Sequence, residues 1–200
     1  MDEPGPPRPD PLPRPLWHYV LVAAAVALLA GGVELLMGRV PISKSGRIVP
    51  WNGQVHGSEN SQQIADWYSF SHVIHGIAFY AALRLLSRRK WSVGLCLVLA
   101  IAIEAAWEVF ENTPFTIERY RKATIALSYY GDSVLNSMCD ILFCAAGFFA
   151  AAYLRVWVSA ALVVAMELFV GLMIRDNLTL NIIMLLHPFE SIRKWQEGAG

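Results

Sequence analysis

Long apolar stretches constrain this 200-residue sequence more than any other feature, because a run of about twenty such residues is long enough to cross a bilayer. Only 16% of the residues are charged, whereas soluble domains have about 25%. Backbone that is exposed to lipid must satisfy its own hydrogen bonds, so each span must be a helix. The sequence therefore predicts an all-α, polytopic transmembrane helix bundle. About five spans are expected, at residues 16–37, 68–86, 91–110, 133–154 and 156–174.

The two ends of the chain and the first loop differ from this pattern. Residues 1–16 hold seven of the eleven prolines, which predicts a disordered tail ahead of a single transmembrane domain at 17–200. The first span continues past its small-residue stretch, so we expect an uncleaved anchor. Residues 38–66 are polar and predict a loop outside the hydrocarbon. The run from Asn177 to Leu186 is too short to span and predicts a C-terminal interfacial or re-entrant helix, with a sixth crossing as the alternative.

Charge and cysteine content exclude several classes of function. Sixteen basic residues balance sixteen acidic ones, so no basic field is present to bind a nucleic acid, and the lipid bilayer is the expected partner. The three cysteines lie in apolar runs and behave as small hydrophobic side chains. The densest basic cluster, Arg84 with Arg88, Arg89 and Lys90, follows the second span. It predicts that this link, and with it the N-terminus, is cytoplasmic.

Polar side chains inside the spans are the candidate functional residues, because a charged group costs about 2.5 to 3.5 kcal/mol near the bilayer centre on insertion scales. Adjacent spans run in opposite directions, so residues late in one span and early in the next lie at the same side. Eight polar residues inside the spans all fall toward the same membrane face, and most are expected roughly 5 to 10 Å below it. These positions are Glu34, His72, His75, Glu104, Glu108, Asn136, Asp140 and Glu167.

The spacing of these residues predicts polar stripes that face one cavity. Several recur every three or four positions, which places them on one side of each helix. Histidines and carboxylates at this spacing are ligands for divalent metals, and we expect His72 and His75 to hold such a metal. Glu108 lies one turn before the helix end that Pro114 imposes, where it can be partly desolvated and still receive water. The candidate catalytic residues are Glu104, Glu108, Asn136 and Asp140.

Most of these residues also have a purely structural interpretation. Asp132 opens the fourth span after a glycine, which is typical of a helix N-cap. Glu34 and Glu111 lie near span ends, from which they can reach headgroups or water. His72 and Asn136 can hydrogen-bond neighbouring helices and hold the bundle together.

The loop after the third span offers basic side chains to the membrane surface. Arg119 and Arg121 are candidates for contact with headgroups or lipid phosphates, and a solvated interfacial loop is the alternative. Three functions stay open for the polar cluster. They are an acid–base or metal-assisted enzyme on a lipid-linked substrate, a proton-coupled carrier of small solutes, and a non-catalytic assembly partner. A divalent metal is the cofactor that the first function would use.

Five segments carry a resemblance to a known family. They are MGRVPI (37–42), SENSQQIADWYSFSHVIHG (58–76), EAAWEVFENTPFTIERYR (104–121), YYGDSVLNS (129–137) and MELFVGLMIRDNLTLNIIMLL (166–186). In them the chain resembles a family of proteobacterial multi-pass inner-membrane proteins that is described as a domain of unknown function. The resemblance covers nearly everything after the proline-rich tail. It implies the inner membrane and the topology but no reaction.

A looser similarity is to VanZ-like membrane proteins. It depends on the order of His75, Tyr80, Glu104, Arg119 and the segment DSVLN at 132–136. The acidic residue expected before the histidine in that pattern is Ser71 here.

Overall fold

The computed structural model describes residues 15–124 and 127–198, and this part of the chain contains eight α-helices and no strand. The predicted all-α bundle is confirmed. The predicted proline-rich tail lies outside the described residues except for its last two positions. The helices are α1 (Leu16–Leu36), α2 (Ser69–Leu86), α3 (Val93–Glu111), α4 (Pro114–Ala123), α5 (Val134–Tyr153), α6 (Val156–Ile174), α7 (Leu178–Leu186) and α8 (Glu190–Glu197).

Four helices, α1, α3, α5 and α6, are long and apolar enough to cross a membrane. Their bounds agree with four of the predicted spans to within two residues. The fifth predicted span is present as α2, which has 18 residues but is too polar to belong to that group. Its polar side chains, such as His72 and Ser69, are buried against the neighbouring helices. The low hydropathy of α2 is therefore explained by its position inside the bundle, where its polar side chains face protein rather than lipid.

Two glycines bring α2 and α5 into direct backbone contact. A Cβ atom added at Gly76 would lie 1.9 Å from the carbonyl oxygen of Cys144, and one added at Gly147 would lie 2.0 Å from that of Val73. Only glycine permits this approach, which is a common way to pack helices in membranes. The contact fixes the depth of the α2 histidines relative to the carboxylate and amide groups of α5.

The half of the bundle next to the 87–92 link is an apolar core. Phe148, Cys96 and Ala100 are fully buried there, and Leu97 is nearly so. The alanine face of α1 packs onto this core. In contrast, α6 lies at the edge of the bundle, where only 11% of its most apolar 18-residue stretch is buried. Apolar side chains thus fill one end of the molecule, and the buried polar residues collect at the other.

Two short helices were not predicted. α4 begins at the proline that ends α3, with the Thr113 side chain accepting a hydrogen bond from the Thr116 amide. This geometry suits proline, which is favoured in the first helical turn. α8 is a charged surface helix that contains the i,i+4 pairs Arg193–Glu197 and Lys194–Glu190. Neither helix has a long apolar run, so the apolar pattern could not indicate them.

The short helix α7 stays at the polar end of the bundle. Its nine residues span about 14 Å, which is half of a bilayer core. The Arg119 side chain donates to the Leu185 carbonyl at its C-terminal end, at 2.8 Å. Arg175, just before α7, donates to the Trp195 carbonyl of α8 at 3.0 Å. Both ends of α7 are therefore held at one end of the bundle, and the alternative of a sixth crossing is wrong.

The first loop folds back onto the start of α5. The Val134 amide donates to the Val40 carbonyl at 2.9 Å, and the Ser133 amide donates to the Ser61 carbonyl at 3.0 Å. The Gln62 side chain donates to the Gly131 carbonyl at 2.8 Å. The loop at 38–66 and the segment before α5 therefore lie at the same end, as the alternation of the spans predicts.

Candidate functional site

A cavity of about 340 Å³ lies at the polar end of the bundle, between α2, α3, α5 and the short helices α4 and α7. Its lining contains both polar and apolar side chains. The polar lining includes His72, His75, Glu111, Asp132, Asn136 and Asp140. The apolar lining is Phe79, Ile103, Trp107, Leu178, Ile182 and Leu185. The predicted cluster of polar residues at one end of the bundle is therefore present, and α7 contributes three of the six apolar lining residues.

Glu104 holds both histidines of α2. Its Oε1 atom lies 2.5 Å from His72 Nδ1, and its two oxygens lie 3.2 and 3.1 Å from His75 Nδ1. An ionised carboxylate can only accept hydrogen bonds, so both Nδ1 atoms donate to Glu104. Each neutral ring then keeps its lone pair on Nε2. Glu104 is fully buried and does not line the cavity, so its place is behind the histidines.

Two further carboxylates lie close to His72. Asp140 Oδ2 is 3.7 Å from Nε2 of His72, and Ser69 donates to the other oxygen of Asp140 at 3.2 Å. Glu108 Oε1 is 3.3 Å from Nδ1 of His72. Ligand atoms of His72, Glu108 and Asp140 all lie within 4.8 Å of one another, as do those of His72, His75 and Glu104. Three helices, α2, α3 and α5, thus bring metal-ligating groups to one place.

A second group of carboxylates adjoins the first. Ligand atoms of Glu108, Glu111 and Asp132 also lie within 4.8 Å of one another. Asp132 accepts hydrogen bonds from Asn112 Nδ2 and from the Tyr129 hydroxyl, both at 3.0 Å. Burial raises the pKa of Asp132 to about 6, and the Tyr129 hydrogen bond opposes that rise. Glu108 belongs to both groups.

The site has an excess of negative groups. It contains five carboxylates, and in the described part of the chain no lysine or arginine forms an ion pair with any of them. Among the residues that the structure describes, His72 and His75 are the only basic groups within ion-pair distance of these carboxylates. Buried charges are normally paired or bound to a metal. The arrangement therefore favours protons or metal cations as the missing positive charge. The five carboxylates are Glu104, Glu108, Glu111, Asp132 and Asp140.

The N-cap of α5 is Ser133 rather than Asp132. The Ser133 hydroxyl accepts a hydrogen bond from the Asn136 amide at 3.2 Å, whereas Asp132 is turned toward Asn112 and Tyr129. The prediction of Asp132 as the N-cap is therefore wrong, because the following serine reaches the free amides and leaves the carboxylate for the cavity. Asn136 lines the cavity and donates to the Gln63 carbonyl at 2.9 Å, so it also holds the first loop in place.

The last part of the first loop forms a wall of the site that the sequence analysis did not identify. Asp66 is buried and accepts hydrogen bonds from the amides of Ser61, at 3.0 Å, and Tyr68, at 2.8 Å. Burial raises the pKa of Asp66. The Asp66 amide in turn donates to the Ser69 hydroxyl at 3.1 Å, which ties the loop to the start of α2. The available signal was an aspartate shortly before the start of α2, since Asp is one of the residues favoured where helices begin.

A second polar contact joins the C-terminal helices to the site. Asp176 is almost fully buried and accepts hydrogen bonds from the Tyr68 hydroxyl, at 3.2 Å, and from Gln196 Nε2, at 3.1 Å. Burial raises the pKa of Asp176 to about 6. Tyr68 also lines the cavity, so this contact links α8 to the cavity wall.

Two predicted acidic residues occupy unexpected places. Glu34 is fully buried, and neither of its carboxylate oxygens has a hydrogen-bond partner among the described residues. The suggestion that it reaches headgroups or water is wrong, because α1 turns this side chain toward Ser137 and Asp132. Glu167 does not enter the cavity. Its two oxygens accept hydrogen bonds from the amides of Leu178 and Thr179, and thus cap α7.

The two arginines predicted to contact headgroups bind backbone carbonyls. Arg119 donates from Nε to Leu185 at 2.8 Å and from Nη2 to Leu186 at 3.3 Å, at the end of α7. Arg121 donates from Nε to the Tyr129 carbonyl. Headgroup contact by these side chains stays a prediction. Their place in the fold is to connect α4 with α7 and with the turn before α5.

Comparison with known proteins finds relatives that match this chain over most of their own length. Residues 34–198 match the family described as "Protein of unknown function (DUF2585)". A "UPF0314 protein" of Sphingopyxis alaskensis is 52% identical over 178 residues, which cover 89% of this chain and 94% of that protein. A "UPF0314 protein" of Paracoccus denitrificans is 50% identical over 182 residues, covering 91% of this chain and 92% of that protein. No solved structure matches the chain. The similarity to VanZ-like proteins stays a prediction.

Proposed function

The chain belongs to the family described as protein of unknown function (DUF2585), and from the site geometry we propose that it is a metal-assisted enzyme that performs acid–base chemistry on the polar head of a lipid-linked substrate. The observation that carries this proposal is that His72, which lines the cavity, lies among three carboxylates.

The ligand set fits a divalent cation. The distance of 3.7 Å between His72 Nε2 and Asp140 Oδ2 suits two ligands of one ion, since Zn–N and Zn–O bonds are about 2.0 to 2.2 Å long. Metal-ligating histidines commonly donate their other N–H to a carboxylate, which fixes the tautomer. Glu104 is in the position to do this for His72 and His75. We therefore assign Glu104 as a positioning residue and His72 and Asp140 as ligands, with Glu108 as a third ligand.

His75 is the candidate acid–base group. Its Nδ1 donates to Glu104, so its Nε2 can exchange a proton with a group in the cavity. Its ring stacks on Phe79 at a centroid distance of 5.7 Å and contacts Trp107, and both of these aromatic residues line the apolar wall. In this arrangement His75 lies at the boundary between the polar and apolar parts of the cavity.

The shape of the cavity supports an amphiphilic substrate. The apolar wall from α3 and α7 suits a hydrocarbon chain, and the polar floor suits a head group that carries the reacting bond. If the N-terminus is cytoplasmic, as the basic residues after α2 indicate, the cavity lies at the periplasmic side of the inner membrane. Cysteine substitutions at the exposed residues His56 and Arg88, which lie at opposite ends of the bundle, test this orientation with a membrane-impermeant thiol reagent.

The packing of the bundle is less suited to a carrier. A carrier needs a path from the site to the opposite side of the membrane, and there the described residues form a tight apolar core around Phe148, Leu97 and Ala100. The close backbone contacts at Gly76 and at Gly147 also hold α2 against α5. A proton-coupled carrier predicts solute uptake that depends on the proton gradient and on Glu104 or Glu108, which the enzyme does not.

Metal analysis of the purified protein is the first test. We expect zinc or manganese at one or more equivalents per chain, and its loss in His72→Ala. His56→Ala is the matched control, because His56 is an exposed loop histidine and the metal content should be unchanged. Metal that is absent from the wild type after reconstitution, or that stays in His72→Ala, would contradict the proposed site.

A second test uses Glu108. Glu108→Gln keeps the shape and hydrogen-bonding capacity of the side chain but not its charge. We expect the variant to insert and fold yet to lose the phenotype that the wild-type gene restores in a deletion strain. Glu118→Gln, at the exposed surface of α4, should restore it fully. A fully functional Glu108→Gln protein would contradict both the acid–base and the metal-ligand role of this residue.

A further inference from the structure

Glu108 is shared by two clusters of metal-ligating groups, and this sharing carries a further inference. We propose that Glu108, Glu111 and Asp132 form a second cation subsite beside the one at His72, with Glu108 bridging the two ions. This inference rests on the proposed function, because the first ion belongs to that site. The second subsite offers only carboxylate oxygens, so it suits a hard divalent cation such as Mg²⁺ or Mn²⁺.

The environment of the Glu108 carboxylate favours a bound cation. Glu108 is 1% exposed, and its buried Oε1 atom has no hydrogen-bond partner among the described residues. The nearest basic contact of that oxygen is Nδ1 of His72 at 3.3 Å, whose proton is donated to Glu104 at 2.5 Å. A buried carboxylate without a donor is rare unless it is protonated or bound to a metal. Glu108 thus has a free oxygen between two sets of ligands.

The Asp132 carboxylate is held in the orientation that a ligand requires. Each of its oxygens accepts one hydrogen bond, from Asn112 Nδ2 and from the Tyr129 hydroxyl, and an oxygen of this kind can also bind a cation. The Asn112 side-chain oxygen accepts from the Asp132 amide at 2.8 Å, which locks the turn before α5 onto the end of α3. Such outer partners are usual for metal-ligating carboxylates.

The helical positions of the two glutamates complete the geometry. Glu108 and Glu111 are three residues apart on α3 and therefore lie on one face of that helix. Glu111 lines the cavity, whereas Glu108 lies behind it, so the second ion would be open to the cavity on one side. Two ions that share a carboxylate are about 3.5 to 4 Å apart in known two-metal sites. The carboxylates of the three subsite residues and of Asp140 carry four negative charges, which balance two divalent cations, while His72 is a neutral ligand.

Manganese titration of the full-length protein in detergent tests this subsite. Bound metal is counted by mass spectrometry of the elements, and electron paramagnetic resonance distinguishes isolated from exchange-coupled Mn²⁺. We expect the wild type to bind two ions per chain with an exchange-coupled spectrum. Asp132→Asn and Glu111→Gln should each bind one ion, with the spectrum of isolated Mn²⁺. Asp176→Asn is the matched control, because Asp176 is a buried aspartate outside both clusters, and it should bind two.

The outcomes separate this proposal from the one on which it rests. A wild type that binds one ion, lost in His72→Ala, would overturn the second subsite and leave the proposed function standing. A wild type that binds no ion would overturn both. Two ions retained in Asp132→Asn and in Glu111→Gln would also overturn the second subsite. The wild-type spectrum requires no variant, so the proposal can be refuted even if the substituted proteins do not fold.

Discussion

The contact between α2 and α5 allows a sharp test of the link between packing and the site. Gly76→Ala adds one methyl group next to His75, at the point where the two helices touch. That Cβ would lie 1.9 Å from the Cys144 carbonyl oxygen and 2.6 Å from the Phe148 amide nitrogen. Both atoms belong to the backbone of α5, so no side-chain rotation can relieve the clash. The two helices must move apart.

The size of the effect follows from these distances. An ordinary contact begins at about 3.4 Å, so α2 and α5 must separate by about 1.5 Å at this point. Overpacking of a core typically costs about 1 to 3 kcal/mol, and backbone clashes fall at the upper end. The higher helix propensity of alanine returns at most about 1 kcal/mol. We therefore expect a net loss near 2 kcal/mol, or a melting temperature lower by about 4 to 8 °C for a chain of this size.

The same displacement reaches the metal ligands. His72 lies on α2 and Asp140 on α5, so a shift of about 1.5 Å between the helices changes their 3.7 Å separation by a large fraction of a metal–ligand bond. We expect Gly76→Ala to weaken metal binding at least tenfold, measured by competition with a chelator of known affinity. Thermal unfolding in detergent gives the stability of the same samples.

The control for this variant is Gly32→Ala. A Cβ at Gly32 meets no atom within 4 Å, although the residue lies inside α1. Its melting temperature should be unchanged or slightly higher, and its metal affinity should equal that of the wild type. If Gly76→Ala melts and binds metal like Gly32→Ala, the close approach of α2 and α5 does not position the site, and the argument is refuted.

Three further predictions concern residues around the cavity. Glu104→Gln should lower metal affinity about 10- to 100-fold in the same chelator assay, because the neutral amide is a weaker acceptor and its NH₂ group replaces one of the two oxygens that accept from the histidines. Since burial raises the pKa of Asp176 from 3.8 to about 6, the stability of the wild type relative to Asp176→Asn should be greatest below about pH 4 and fall by up to about 3 kcal/mol as the pH rises through 6. Thermal unfolding of both proteins from pH 4 to 8 measures this, and a difference that does not vary with pH would contradict it. Arg119→Met should release the end of α7, seen as faster hydrogen exchange at α7 amides with little change in α5.

Several features of this protein could be predicted from the sequence alone. The apolar runs set four of the spans almost to the residue, because a bilayer requires a minimum helix length. The rise of 1.5 Å per residue, together with the alternating direction of the spans, placed His72, Glu104 and Asp140 at one end of the bundle. The depth of a residue in its span depends only on its position along the helix, so the sequence is sufficient to predict it.

Lateral contacts were decided by the tertiary structure. The sequence could not tell that Glu104 would hold both histidines from behind, or that Glu34 would be fully buried. Nor could it show that the polar loop at 38–66 would cover the start of α5, since that contact consists largely of hydrogen bonds to backbone groups. Which side chains face each other depends on the rotation and spacing of packed helices. Here these are set by the close backbone contacts at Gly76 and Gly147, residues that lie 71 positions apart in the chain and share an interface only when α2 and α5 pack.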